Sequence, residues 1–415
     1  MTKLEPEVLA ELDRIRRERQ QRERANGNAG TASNGLGEWD AGDDKEPPTP
    51  RGWLLGNVFC RGFMSSLLAD GGVGKTAVRY PQLLSLATGR SLTGDYVFQR
   101  CRVLIVSLED DGQELRRRIL AACLHYNIDR AELKGWLFLA APGAAGGKLM
   151  TLDRKGQSIR GTLADKLEAV IAARQIDIVS IDPFVKAHSV EENNNSAIDD
   201  VVQILTDLSA KYNIAVDTPH HTSKGLAEPG NANRGRGASA MNNAGRLIYT
   251  LTTMSPEEAS GFGIDEADRK SYIRMDTGKV NVTKYLKAAK WFRLVSINLG
   301  NATDLYPNGD EVQAAEVWTP PETWADMPSD LLNRMLTAID AGLPDGNFYT
   351  DAAKAGEREA WKVVKEYAPH KTEKQAREVI KTWVKNGVLT NREYENPTTR
   401  KPVRGLKVDP AKRPS

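Results

Sequence analysis

Short apolar runs alternating with amphipathic stretches fill the middle of the chain. Residues 64–68, 103–108, 136–140, 176–181, 214–216 and 247–251 are short and β-like. Between several of them, at 113–126, 158–174 and 197–211, the apolar positions recur with helical spacing. Such alternation predicts an α/β fold, a mostly parallel sheet covered by helices. Strand-like sequence continues at 271–275, 291–298 and 316–318, expected to extend the same sheet as hairpins. The pattern changes after a Pro-rich break at 319–328. Three helical stretches follow, at 329–341, 352–367 and 372–385, and then VLTNREYE and GLKVD joined by NPTTRKPVR. Three helices and a basic hairpin are the layout of a winged helix.

The first fifty residues differ again. Residues 5–24 are helix-prone and highly charged, with Val8, Leu9, Leu12 and Ile15 as a short apolar stripe. Two turns of stripe are too little for an independent domain. Residues 26–50 are rich in Gly, Asn, Asp and Pro and read as a linker. The expected organisation is a charged helix and linker over 1–50, a main domain over 51–320, and a winged-helix-like domain over 329–410.

Charge sharpens this division. The 415 residues carry a formal net charge of only +2. From Ala341 onward there are 16 Lys and Arg against 10 Asp and Glu, a net of +6, which leaves 41 against 45 for the remainder. A basic tail on a mildly acidic body suggests an anionic partner, nucleic acid first, with a solvated basic face as the plainer reading. Cys60, Cys101 and Cys123 are scattered without a paired spacing, as expected for a reducing compartment. No signal-peptide core and no run of about 18 apolar residues occurs, so the expectation is a cytoplasmic protein that does not span a membrane.

LLADGGVGKTAVRY, residues 67–80, carries the strongest chemical signal. Backbone N–H groups at a glycine-rich turn that opens a helix bind phosphate, helped by the helix dipole. Asp70, Gly71, Gly72, Val73, Gly74, Lys75, Thr76 and Ala77 form the expected cradle. Lys75 would reach the β- and γ-phosphates of ATP, and Thr76 would ligate Mg²⁺. Ala69 stands where the consensus has its first glycine, at the strand exit, where a methyl group can be accommodated. Hydrolysis also needs a carboxylate for Mg²⁺ and a base for the attacking water. QIDIVSIDP puts Asp182 at a strand tip as the Mg²⁺ candidate. VLIVSLEDDG puts Glu109 at another tip as the general base, with Asp110 or Asp111 as possible caps of the following helix. DTPHHTSKG follows a further strand. Its His220 and His221 lack a third ligand at metal spacing and read better as a γ-phosphate sensor, with a core histidine as the alternative for one of them.

The order of these motifs, followed by RGASAMNNAGR and GKVN, resembles the RepA-type hexameric helicase ATPases of the RecA superfamily, found in plasmids, phages and integrated elements. The similarity spans roughly residues 52–300. It implies a RecA-like P-loop core that binds ATP and Mg²⁺ and assembles as a homo-oligomer, a hexamer. It also implies Gly72, Gly74, Lys75 and Thr76 as phosphate loop, Glu109 as catalytic glutamate, Asp182 as second carboxylate, and His220 and His221 facing the γ-phosphate and a central channel. Arg246 falls where the family has an arginine. It is the first candidate for a finger reaching a neighbour's ATP, with Arg236 and Lys279 behind it. Arg118 is a candidate for stacking on adenine. In the basic tail, Lys371, Lys374, Gln375, Arg377, Lys381 and Lys385 are expected on the exposed face of the third helix, with Gln375 and Arg377 able to reach base edges. Arg400, Lys401 and Arg404 would contact phosphate from the wing. The functional expectation is a DNA-dependent ATPase moving on single-stranded DNA through loops 190–196 and 223–236. An ATP-switched DNA-binding initiator and a recombinase-like filament are the alternatives.

Overall fold

A computed structural model describes residues 40–44, 46–191, 194–222, 229–232, 245–262, 264–283, 289–321 and 327–413. The charged stretch 5–24 and Arg236 lie outside the described residues, as do most of loop 223–236 and of the linker. Contacts divide the chain into Met1–Arg51 and Gly52–Ser415. In the first unit, Ala41–Asp43 forms a 3-10 turn capped by the Asp40 carboxylate.

The second unit is built on a ten-stranded sheet. Its strands are β3 (Met64–Ala69), β4 (Val103–Ser107), β5 (Leu137–Ala140), β8 (Ile178–Asp182), β9 (Ala215–Asp217), β10 (His220–His221), β11 (Leu247–Thr253), β12 (Tyr272–Val280), β13 (Lys290–Asn298) and β14 (Glu311–Val317). Two small hairpins interrupt the series, β1 (Trp53–Leu55) with β2 (Phe59–Cys60) and β6 (Met150–Leu152) with β7 (Ser158–Arg160). The order across the sheet is β14-β13-β12-β11-β3-β9-β8-β4-β5, with β10 alongside the end of β3. From β11 through β5 all pairs are parallel, and from β11 outward to β14 all are antiparallel. The expected parallel core and hairpin extension are both present.

Alternate residues of the parallel strands supply two cores. Leu104, Val106, Val179, Ile181 and Val216 face α3 (Thr162–Arg174) and α4 (Asn195–Tyr212). Val103, Ile105, Ile178 and Ala215 face α1 (Lys75–Thr88) and α2 (Gly112–His125). Period-two side-chain alternation in strands buried on both faces gives this doubly covered arrangement. Among the described residues no helix is long and apolar enough to cross a membrane.

Two helix expectations need correction. Residues 158–160 pair with β6 instead of opening α3. Gly161 marks the break, because a Cβ there would lie 2.1 Å from the Lys148 carbonyl oxygen. Helix 352–367 contracts to α7 (Trp361–Tyr367). Lys354 (φ +63°) and Gly356 (φ +64°) are left-handed, which no helix tolerates in its interior.

After α5 (Pro256–Phe262), the C-terminal part consists of α6 (Ser329–Ala341), α7, α8 (Glu373–Lys385) and the antiparallel hairpin β15 (Leu389–Glu395) and β16 (Pro402–Val408). These elements share one core that includes Met335, Ile339, Val364, Val379, Trp383 and Leu406. Thr372 and Gln375 close a capping box that starts α8.

Candidate functional site

The parallel strands end at one edge of the sheet, and the chemistry gathers there. β3 ends at buried Ala69, and α1 begins at Lys75. Between them the chain turns through Gly72 (φ +78°) and Gly74 (φ +107°), conformations that side chains with a Cβ rarely adopt. Gly74 is also closely approached. A Cβ there would meet Leu294 Cδ2 at 3.1 Å and Ile273 Cδ1 at 3.3 Å, so the antiparallel flank closes over the turn. A Cβ at Gly71 or Gly72 would meet nothing within 4 Å, which leaves the turn open for a phosphate. The Ala69 methyl packs into a core with Leu67, Val78 and Tyr249, so alanine at this consensus position is accommodated as expected.

Lys75 Nζ donates to the carbonyl oxygens of Ala69 (3.2 Å) and Asp70 (3.4 Å) and lies 3.1 Å from His221 Nδ1. Burial draws its pKa down, against the opposing charges of Asp182, Glu109 and Asp70. The Thr76 hydroxyl donates to Asp182 Oδ2 at 3.2 Å. Burial pushes the Asp182 carboxyl up to about 6, although Lys75 and Thr76 favour its ionised form. The Thr222 hydroxyl donates to the Asp70 carboxylate and ties β10 to the loop.

Strand register places the two carboxylates side by side. Ser107 at the end of β4 pairs with Asp182 at the end of β8, and Glu109 lies two residues beyond. Glu109 is exposed and lines the same cleft, with Lys186 Nζ 3.9 Å away. Its neighbours are otherwise engaged. Asp110 pairs with Arg118 Nε at 2.9 Å, and Asp111 caps α2 by accepting from the Gln113 and Glu114 N–H groups. The cleft has a volume of about 450 Å³ and is lined by Gly71–Gly72 and Gly74–Ala77 at its floor, with Glu109, Asp182 and His221 around them. Val73 instead leans on the apolar core beneath the antiparallel flank.

The site differs from expectation in several places. Only His221 of the histidine pair lines the cleft. His220 is buried, edge-on to Phe184 at 5.6 Å between ring centroids, and so is a core histidine. Arg118 does line the cleft, but it is held by Asp110 and by Glu114 at 3.0 Å. Glu311, Val312 and Gln313 of β14 form an unanticipated wall of the cleft. They are brought in by the curl of the antiparallel flank, for which no local motif exists. Asp217 was also missed. It is fully buried, accepts from Ser65 (3.0 Å) and Ser180 (2.9 Å), and pairs with Arg79 at 3.0 Å, joining three strands to α1.

Arg246 and Lys279 lie elsewhere. Leu247 pairs with Ser65 and Lys279 with Ile248, at the amino end of β3. That is roughly 16 Å from the phosphate loop at about 3.3 Å per residue, so neither belongs to its own cleft. In the C-terminal part, Lys374, Lys381, Arg400, Lys401 and Arg404 are exposed. Gln375 and Lys371 are buried, against expectation, because the capping box turns Gln375 inward. Arg377 is half-buried, bound by Glu373 and Glu359 and stacked over Trp361, so it is not free to read a base edge.

Among the described residues no group of three or more His, Cys, Asp or Glu side chains could hold a metal by itself. A hydroxyl and one carboxylate are nevertheless a hard-oxygen set that suits Mg²⁺, which keeps most of its waters and shares phosphate oxygens. Residues and geometry therefore fit ATP and Mg²⁺, with Thr76 and Asp182 as holders of the ion. Asp182→Asn should weaken Mg²⁺ binding, raising the Mg²⁺ concentration for half-maximal turnover about 10-fold or more. A magnesium titration of ATPase rate reads this directly.

The parallel core, the phosphate loop at a strand end and the two adjacent carboxylates define a P-loop nucleotide-binding site on an α/β sheet. The family model of an AAA domain matches residues 31–227. A KaiC-like protein of the hyperthermophilic archaeon Pyrococcus horikoshii OT3 is similar at 15% identity, over 63% of this chain and 91% of that chain, with a TM-score of 0.40.

Proposed function

We propose that this protein is a Mg²⁺-dependent ATPase of the ring-forming, RepA-like helicase type, in which hydrolysis drives movement on single-stranded DNA. The observation that carries the reading is the convergence of Lys75, Thr76, Asp182, Glu109 and His221 on one cleft. Lys75 binds and neutralises the terminal phosphates. Thr76 and Asp182 would hold the ion, which would supply charge neutralisation for phosphoryl transfer. Glu109 takes the proton of the attacking water. His221 touches Lys75 and is placed to respond to loss of the γ-phosphate. Arg246 and Lys279, remote from their own cleft, suit a role at a neighbouring copy's cleft, and the six-membered ring is the assembly we infer.

The exposed Arg400, Lys401 and Arg404 on the C-terminal hairpin support duplex or single-strand contact through phosphate, and the three-helix-plus-hairpin layout supports a winged helix. They also favour the second reading, an ATP-switched DNA-binding protein acting at a replication origin. Steady-state ATP hydrolysis with and without single-stranded DNA decides between them, with Lys75→Ala as the blank. The helicase reading expects strong stimulation by single strands. An unstimulated ATPase with tight, sequence-selective duplex binding would overturn it in favour of the second.

A further inference from the structure

The hairpin of β6 and β7 is largely exposed, and its sequence, KLMTLDRKGQSIR, carries four basic residues and one carboxylate. Its turn is ordered by the Asp153 carboxylate, which accepts from the N–H groups of Lys155 and Gln157 at 2.8 Å each. Leu152 is 48% exposed and Ile159 47% exposed. Register pairs Leu152 with Ser158 and Thr151 with Ile159, so the two apolar side chains stand on opposite faces. A two-stranded ribbon with an apolar side chain on each face has no core of its own to bury against. Arg154 and Lys155, at the tip, are exposed and make no ion pair among the described residues.

The base of this hairpin is fastened to the segment that follows the Asp182 carboxylate. Leu149 N–H donates to Ala187 O at 2.6 Å, and Ser189 N–H donates to Met150 O at 3.1 Å. Met150 bridges His188, and the Lys148 ammonium donates to the Lys186 carbonyl. Lys186 in turn is the residue whose ammonium lies 3.9 Å from Glu109 Oε1. The hairpin and the cation beside the candidate base thus form one hydrogen-bonded unit.

We propose that the β6–β7 hairpin is a single-stranded nucleic-acid contact, and that Lys186 is a positioning residue through which that contact reaches Glu109. This rests on the DNA-coupled reading above and adds to it a site and a route. Charge complementarity chooses the occupant: Arg154 and Lys155 meet phosphate, while Leu152 and Ile159 lie against unstacked bases. When a strand loads the tip, the hairpin base shifts the 186–189 segment. The Lys186 ammonium then moves relative to Glu109, changing how the carboxylate is presented to water.

The test uses the full chain and oligothymidylate as probe. Arg154→Ala/Lys155→Ala should weaken binding, measured by fluorescence anisotropy with a non-hydrolysable ATP analogue, and should reduce the slope of log affinity against log salt by about 1–2. Lys186→Ala should remove most of the DNA stimulation of kcat while KM for ATP holds, and Lys186→Arg should restore it. Wild-type affinity and salt slope in the tip variant would overturn the contact. Stimulation in Lys186→Ala equal to wild type would overturn the route. Leu152→Ser/Ile159→Ser adds a third arm: loss of assembly with unchanged DNA affinity would make the ribbon an interface between copies and overturn the assignment. No DNA stimulation in the wild type itself would instead defeat the parent reading, so the two failures are distinguishable.

Discussion

Glu109→Gln is expected to lower kcat for ATP hydrolysis by about 10²–10⁴-fold, the range a general base contributes, while ATP still binds. The amide keeps the shape of the side chain but cannot accept the proton of water. Three acidic residues follow β4, and Glu109 stands nearest the strand end. The contacts of the other two support the same choice. Asp111 is spent on the first turn of α2, and Asp110 is neutralised by Arg118 at 2.9 Å. Burial raises the Asp110 pKa, with Arg118 opposing. Glu109 faces the cleft with the Lys186 ammonium 3.9 Å from its carboxylate. Asp110→Asn should therefore cost much less, through loosening of Arg118 and the cleft wall. Rapid-quench turnover with separate measurement of nucleotide binding tests this. Normal turnover in Glu109→Gln, or a larger loss in Asp110→Asn, would remove Glu109 from its role.

The second large effect is on stability. Asp217→Ala should cost about 3–5 kcal/mol, because it leaves the Arg79 guanidinium buried without its counter-charge. Arg79 is 1% exposed and Asp217 0%, so water cannot take the partner's place. The carboxylate also accepts from Ser65 and Ser180, which would both lose a partner. The double replacement Arg79→Met/Asp217→Leu removes both charges and should recover part of the loss, since a well-packed apolar pair often equals a buried ion pair. Urea unfolding of the three proteins reads the comparison. A double variant less stable than Asp217→Ala would mean that the pair itself, and not the stranded charge, holds the strands.

The legible part of this site was the part coded by neighbouring residues. The phosphate loop needs contiguous glycines ahead of a helix, and Glu109 and Asp182 each end an apolar strand, so local pattern sufficed. Ala69 could be judged because a strand exit tolerates a methyl group. Of the two adjacent histidines, strand alternation sends one each way, but only the structure says that His221 is the one at the cleft. The β14 wall was illegible because EVQAAEV is weakly apolar and reaches the cleft through pairings distant in sequence. Gln375 was misjudged for a different reason. The helix start at Thr372 was read correctly, but its reciprocal cap turns the Gln375 side chain back on the backbone. Residues 158–160 belong to the hairpin and not to the expected helix 158–174 because Gly161 is the point where two backbones touch.

The closure of Leu294 and Ile273 over Gly74 has a consequence for the autonomy of the motif-bearing half of the chain. The phosphate loop, both carboxylates and the histidine pair all lie before residue 222, yet the roof of the phosphate turn and one wall of the cleft come from residues 273–313. β3, the strand that delivers the phosphate loop, is also covered on one side only by β11. A fragment ending with the histidine pair would keep each signature and lose the neighbour that makes β3 an interior strand. Its loop-bearing strand would become an open, apolar edge, the kind that recruits other chains. The ability to hold nucleotide is therefore an attribute of the whole folded sheet, inseparable from an antiparallel flank that carries neither the phosphate loop nor the two carboxylates.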